Sequence, residues 1–157
     1  MDETVRLRPA APSEAAYLSA LALRSKAHWR YSEEFIQAFE VELTFQSDQI
    51  VDDKFKFVVA EVDSRIAGFH AVAKIAERQY ELEALFVEPD FIGNGIGRAL
   101  IQDARQYIEK SGGGSLVIQG DPNAERFYLA AGAKRIGSRE SGSIVGRSLP
   151  LFEITIR

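Results

Sequence analysis

The sequence contains no cysteine. Disulfides, thiolate metal sites and a cysteine nucleophile are therefore excluded. There are only two histidines, His28 and His70, too few and too far apart for a histidine-rich metal site. No basic run of five residues occurs, and the formal net charge is −4. A general nucleic-acid surface is therefore not expected. No stretch approaches the roughly 20 apolar residues needed to span a bilayer. The opening "MDETVRLRPA" has no apolar centre of signal-peptide length. Long linkers, repeats and low-complexity blocks are also missing. These absences lead us to expect a cytoplasmic chain with no membrane or nucleic-acid partner. What is present is 46% hydrophobic residues over 157 positions. That suffices for one domain, expected to span residues 1–157.

Periodicity divides the chain. Val5 and Leu7 alternate with charged residues before Pro9 and Pro12, which reads as a strand and a turn. "PSEAAYLSALALRSKAHW" reads as a helix capped by Ser13, with Ala16, Tyr17, Ala20, Leu21, Leu23 and Ala27 inward. "SEEFIQAFEVEL" reads as a second helix capped by Ser32, with Phe35, Ile36 and Phe39 inward. The segment from Lys54 to Val87 then alternates in three runs with short connections, an antiparallel meander. After Pro89 the helical period returns, with Ile96, Ala99, Leu100, Ala104, Tyr107 and Ile108 on one face. "SLVIQG" is a strand, "NAERFYLAAG" a short helix, and "AKRIGSRE" and "LPLFEITIR" the last strands. The order β-α-α-β-β-β-α-β-α-β-β implies one parallel pair in a largely antiparallel sheet, a mixed α+β domain.

"FIGNGIGRAL" stands between a strand and a helix. The first amides of a helix have no partner within it, and the helix dipole makes them an anion site. Glycines there allow an oxyanion, usually a phosphate, to approach the backbone. A flexible turn, with Gly97 easing helix packing, fits the same residues. A dinucleotide fold is disfavoured because the preceding strands form a meander. A P-loop is disfavoured because no Gly-Lys-Ser/Thr follows.

With its flanks, this segment resembles a known family. "LEALFVEPDFIGNGIGRALI" is similar to the acetyl-CoA-binding segment of the GNAT N-acetyltransferase superfamily. The family pattern aligns with Ile92, Gly93, Asn94, Gly95, Ile96 and Gly97. Its first position, usually arginine or glutamine, is Ile92 here, which implies binding dominated by backbone. "DPNAERFYLAAGAKRIG" extends the likeness, and "SKAHW" resembles a stretch in a bacterial subgroup. The resemblance implies a GNAT acyl-CoA N-acyltransferase fold. Its sheet would have about seven strands, with one splayed parallel pair and about four helices.

The resemblance also implies site roles. Acetyl-CoA would be the co-substrate, with no metal. Its pantetheine arm would pair with the main chain of Leu85, Phe86 and Val87, residues that equally read as plain core strand. Arg98 would add charge near the pyrophosphate, and Asn123 and Phe127 would lie beside the cofactor. Glu81 or Glu83 would take the amine's proton, directly or through water. Two apart on one strand, these carboxylates are expected to share a face, which Leu85 continues. Tyr128 would protonate the departing thiolate.

The acceptor would lie near His28, Trp29 and Tyr31, with Arg30 beside them, and near Ser141 and Arg147 of the loop joining the last strands. A packed helix connection and an ordinary loop fit those residues as well. His70, mid-strand, is expected to be structural. Three functions stay open. One is an N-acetyltransferase acting on a primary amine of a small or amino-acid-like molecule by direct attack in a ternary complex. The others are a non-catalytic acyl-CoA sensor and a protein lysine or N-terminal acetyltransferase. Family members are often dimers, so a homodimer is among the expectations.

Overall fold

A computed structural model describes residues 4–29, 31–142 and 144–156. Its seven strands form one sheet in the order β1-β2-β3-β4-β5-β7-β6. They are β1 (Val5–Pro9), β2 (Phe55–Val62), β3 (Arg65–Lys74), β4 (Gln79–Val87), β5 (Ser115–Gln119), β6 (Lys134–Glu140) and β7 (Ser148–Thr155). Only β4 and β5 run parallel. The meander is closed at its first corner by Asp63 and Ser64, with φ of 50° and 67°. Two left-handed residues are what a two-residue hairpin needs to follow the strand twist.

Among the described residues five α-helices cover the sheet: α1 (Ala15–Ala27), α2 (Glu33–Glu42), α3 (Ser47–Val51), α4 (Ile96–Lys110) and α5 (Glu125–Ala130). About four were expected. The additional one, α3, has five residues, too few for a helical period to show. α1 and α2 pack on one face of the sheet, over Phe57, Phe69 and Ala84. α4 and α5 pack on the other, over Val72, Leu82 and Phe152. His70 is fully buried on β3, and its Nε2 lies 2.9 Å from Asp103 Oδ2 on α4.

The inward face of α1 differs from the expectation. Ala15, Leu18, Leu21, Ala22 and Ser25 are buried, whereas Ala16, Tyr17, Ala20 and Ala27 are exposed. The helix is apolar almost all round up to Leu23, so periodicity does not mark a face. The large Leu18 and Leu21 settle the rotation. Ser13 does not cap it either. It lies inside a 3-10 turn, Pro12–Glu14, and α1 has no side-chain cap. Ser32 does cap α2, accepting a bond from the Phe35 amide at 3.2 Å.

Two irregularities in β4 create the site. Val72 faces Leu82 across the β3–β4 ladder, but the next residue, Ala71, faces Ala84. Glu83 is thus the extra residue of a β-bulge. On the other side β4 pairs with β5 only from Gln79 to Leu82. From Glu83 onward the two parallel strands diverge. The edge of β4 that would face β5 is left without a ladder partner.

Candidate active site

A cleft of about 650 Å³ opens in this divergence. Leu85 and Val87 of β4 form its floor, and the α4 entry and α5 form its sides. Gly93 and Gly95 lie at its mouth with φ of +91° and +81°. Left-handed backbone of this kind favours glycine. A Cβ built at either position meets nothing within 4 Å, so the space above the turn is open. Gly95 is the N-cap of α4, and the amides of Ile96, Gly97 and Arg98 follow at the helix start. The Asn94 amide is spent on the Phe91 carbonyl at 3.3 Å. Gly97 has another purpose. A Cβ there would meet Phe127 Cε1 at 3.0 Å, so its absence lets α4 and α5 approach. Ile92 and Arg98 are exposed and both line the cleft. An open glycine turn, a free helix start and an unpaired strand edge together suit a long ligand with a phosphorylated end.

A smaller cavity of about 120 Å³ lies on the α1 side of the same gap. It shares Ser25, Trp29, Leu85, Ala124 and Tyr128 with the cleft. Glu83 and Phe86 also line it. The two cavities are therefore neighbours through one wall of residues.

The bulge changes what the carboxylates do. Glu81 lies opposite Ala73, but beyond Glu83 the alternation is inverted. Ala84 and Phe86 now face α1 and α2, and Leu85 joins the cluster beneath α4. Leu85 therefore does not continue the face of Glu81, because one inserted residue flips every later side chain. Glu81 is held by an ion pair with Arg139 of β6. Among the described residues no cation pairs with the Glu83 carboxylate; the residue is exposed overall, but partial desolvation of its carboxyl raises it above its ordinary value. The nearby Glu81 adds to this, while Lys54 and Arg139 partly oppose it.

Tyr128 is buried on α5, against Phe127 and Phe152 at ring separations of 5.2 and 5.8 Å. Burial, then the charge of Asp121, raise its phenol above the usual value. Gly120 makes room for it, since a Cβ there would lie 3.2 Å from the Tyr128 ring and 2.9 Å from Phe152.

Asp121 escapes notice in the sequence and is central in the structure. Its Oδ2 accepts bonds from Lys26 Nζ at 2.7 Å and Tyr31 Oη at 2.6 Å. Its Oδ1 accepts from the Asn123 amide at 2.8 Å and Asn123 Nδ2 at 3.0 Å. Burial alone would raise its carboxyl, but the Lys26 ammonium and these bonds hold it below the ordinary value. Burial and Asp121 in turn raise the Tyr31 phenol. Arg147 donates to Tyr31 Oη at 2.9 Å and lies over the rings of Tyr31 and Phe35 at 5.1 and 5.6 Å. Lys26, Tyr31 and Asn123 thus meet at the Asp121 carboxylate, and Arg147 joins them through Tyr31.

The residues singled out in the sequence divide accordingly. Leu85, Val87, Ile92, Gly93, Gly95 and Ile96 line the cleft, as do Gly97, Arg98, Asn123 and Phe127. Asn94 is in the same turn. Phe86 and Glu83 line only the smaller cavity, and Trp29 and Tyr128 line both. His28 is exposed, edge-on to Trp29 at 5.4 Å, and lines neither. Tyr31 and Arg147 form the layer behind the smaller cavity. Ser141 is buried, its hydroxyl accepting from the Ile144 amide at 3.1 Å, and it shapes the β6–β7 loop. Arg30 lies outside the described residues. Sequence reasoning missed Ser25, Lys26 and Asp121. The "SKAHW" match was the signal that could have found the first two.

Comparison with known proteins gives the family and the fold. Residues 22–143 match the family model described as an acetyltransferase (GNAT) domain. An uncharacterized N-acetyltransferase of Archaeoglobus fulgidus is 37% identical over 100 residues, 58% of this chain and 68% of that protein. An uncharacterized N-acetyltransferase of Methanocaldococcus jannaschii is 41% identical over 66 residues, 38% of this chain. The chain spans only 29% of the length of that relative. The crystal structure of PaiA N-acetyltransferase from Thermoplasma acidophilum, in complex with coenzyme A, has a TM-score of 0.80 at 22% identity. It covers 97% of this chain and 99% of its own, a likeness of fold.

Proposed function

The chain belongs to the GNAT acetyltransferase family, and from that premise we propose that it acetylates a primary amine of a small or amino-acid-like molecule. Acetyl-CoA is the donor, and attack is direct, with both substrates bound. The observation that carries this reading is the shared wall of the two cavities, with Glu83 on one side and Tyr128 common to both. The cleft takes the donor, and the smaller cavity takes the amine.

Acetyl-CoA supplies an acetyl group already activated as a thioester. The amides of Gly93, Gly95, Ile96 and Gly97 receive its pyrophosphate, and Arg98 adds charge. Main-chain groups of Leu85, Phe86 and Val87 hold the pantetheine arm in place of a strand. Asn123, bound to Asp121 and Tyr31, supports the same wall. An alkylammonium has a pKa of roughly 10 and must lose a proton before it attacks. Glu83 is the better base of the two carboxylates. It lines the cavity and its carboxyl is raised, whereas Glu81 is committed to Arg139. Tyr128 keeps its proton at neutral pH and can deliver it to the leaving sulfur.

The test is thiol release from acetyl-CoA with a panel of small amines, amino acids and lysine peptides. Release with small amines supports the proposal. Release with peptides alone would replace it with protein acetylation. Acetyl-CoA binding without release for any acceptor would leave a sensor and refute catalysis.

A further inference from the structure

Two ion pairs leave the last turn of α1 in different directions. Arg24 donates from Nε and Nη2 to Glu88 Oε1 and Oε2 at 2.7 and 2.8 Å. Lys26 donates from Nζ to Asp121 Oδ2 at 2.7 Å. Their targets are not arbitrary. Glu88 follows the last residue of β4 and precedes the glycine turn. Asp121 follows β5 by two residues and opens the turn into α5. These are the far ends of the two strands that diverge beyond Leu82. Ser25, between the two cations, is buried and lines both cavities.

We propose that the last turn of α1 is a two-armed brace. Arg24 holds the end of β4, Lys26 holds the end of β5, and together they set the width of the gap between them. Beyond Leu82 the strands have lost the ladder that would fix their spacing. A main-chain hydrogen bond from a ligand lying in the gap tolerates only a few tenths of an ångström. β4 stays paired with β3 to Val87 and β5 with β7 to Gln119, but each on its outer edge, so contacts that bridge the gap are what can fix its width directly. Both carboxylates are mostly enclosed, with side-chain exposures of 11% for Glu88 and 12% for Asp121; Lys26 is enclosed as well at 16%, whereas Arg24 is 44% exposed and reaches inward from the surface. Arg24 grips with two parallel bonds, which fixes angle as well as distance. This assigns Arg24 and Lys26 as positioning residues for the donor's arm. It rests on the reading of the cleft as the coenzyme A site.

The brace acts on the gap and not on the glycine turn, which makes it testable. Coenzyme A occupies both regions, whereas 3′-phospho-ADP, its nucleotide half, occupies the phosphate end only. Calorimetry with both probes is done on the full chain and on Arg24→Met and Lys26→Met. Coenzyme A affinity falls on the order of five- to tenfold in each variant, and 3′-phospho-ADP affinity stays within twofold. In the double variant the loss is less than the product of the single losses, since either arm alone releases the gap. Equal losses for both probes, or unchanged coenzyme A affinity, would overturn the brace. Should a methionine variant not fold, Arg24→Lys keeps the charge but loses the paired bonds, and the same split is expected. Failure of the unaltered protein to bind coenzyme A would instead overturn the donor-site reading itself.

Discussion

Replacing Glu83 by glutamine should slow the reaction and stabilise the protein together. Glu83 is the inserted residue of the β4 bulge and lines the smaller cavity without a ladder position of its own. Enclosure raises it above the ordinary value of 4.5, and Glu81 adds to the shift. A carboxyl raised by folding binds more protons in the folded state than in the unfolded one. Stability therefore falls as pH rises from the ordinary value through the folded one, and the full cost is present at neutrality. Glutamine has no charge to desolvate and removes that cost. Solvent reaches Glu83, so screening limits the gain to about 0.5 kcal/mol. For a chain of this length that raises Tm by about 1–2 °C at about pH 7. The gain should vanish at about pH 3, well below both values, where the carboxylate is protonated in both states. Loss of a general base should lower kcat about 100-fold. The acid limb of the kcat profile, displaced above ordinary carboxylate titration in the unaltered protein, should disappear. The assays are thiol release across the pH range and thermal unfolding at both pH values. A kcat within twofold with the acid limb intact would refute Glu83 as base. A Tm that falls at neutrality would refute the desolvation argument.

Tyr128→Phe keeps the ring between Phe127 and Phe152 and removes the proton. Thiol release should fall about 100-fold with little change in thermal unfolding, and full activity would end the acid role. Gly95→Ala adds a methyl to open space but forces a left-handed residue at φ +81°. It should cost about 1 kcal/mol of stability and weaken coenzyme A binding by calorimetry, whereas Gly97→Ala should act mainly on stability by displacing Phe127. Asp121→Asn should cost about 2 kcal/mol near neutrality, measured by urea unfolding. Its carboxyl is held below the ordinary value of 3.8, so this contribution is present above that value and lost as pH falls through the folded one. The two proteins should converge in acid, and a difference independent of pH would contradict the assignment.

What could be read from the chain depended on whether the cause was local. The Asp63–Ser64 corner, the Ser32 cap and the left-handed glycines before α4 are each decided by a few consecutive residues, and each is visible as such. The β4 bulge is not. "YELEALFV" alternates well enough to pass for a regular strand, and only the pairing with β3 reveals that Glu83 is supernumerary. That single insertion separates Leu85 from the face of Glu81 and leaves the two glutamates in different employment. The Asp121 cluster is hidden for the opposite reason. The family resemblance points to Tyr31, Asn123 and Arg147 one by one, but Lys26 and Asp121 look like ordinary polar residues at the ends of elements, and nothing in the spacing joins the five. Their meeting is a product of topology, because the divergence of β4 and β5 brings the end of α1, the turn into α5 and the β6–β7 loop to one place. Gly97 makes the same point at smaller scale. It sits in a phosphate-binding pattern, yet the atom it makes room for is a Phe127 ring carbon from 30 residues away. A glycine motif therefore has two kinds of member: those required by the backbone at the turn, and one required by a neighbouring helix. Substitution at the first kind should be felt by the ligand, and at the second by the fold.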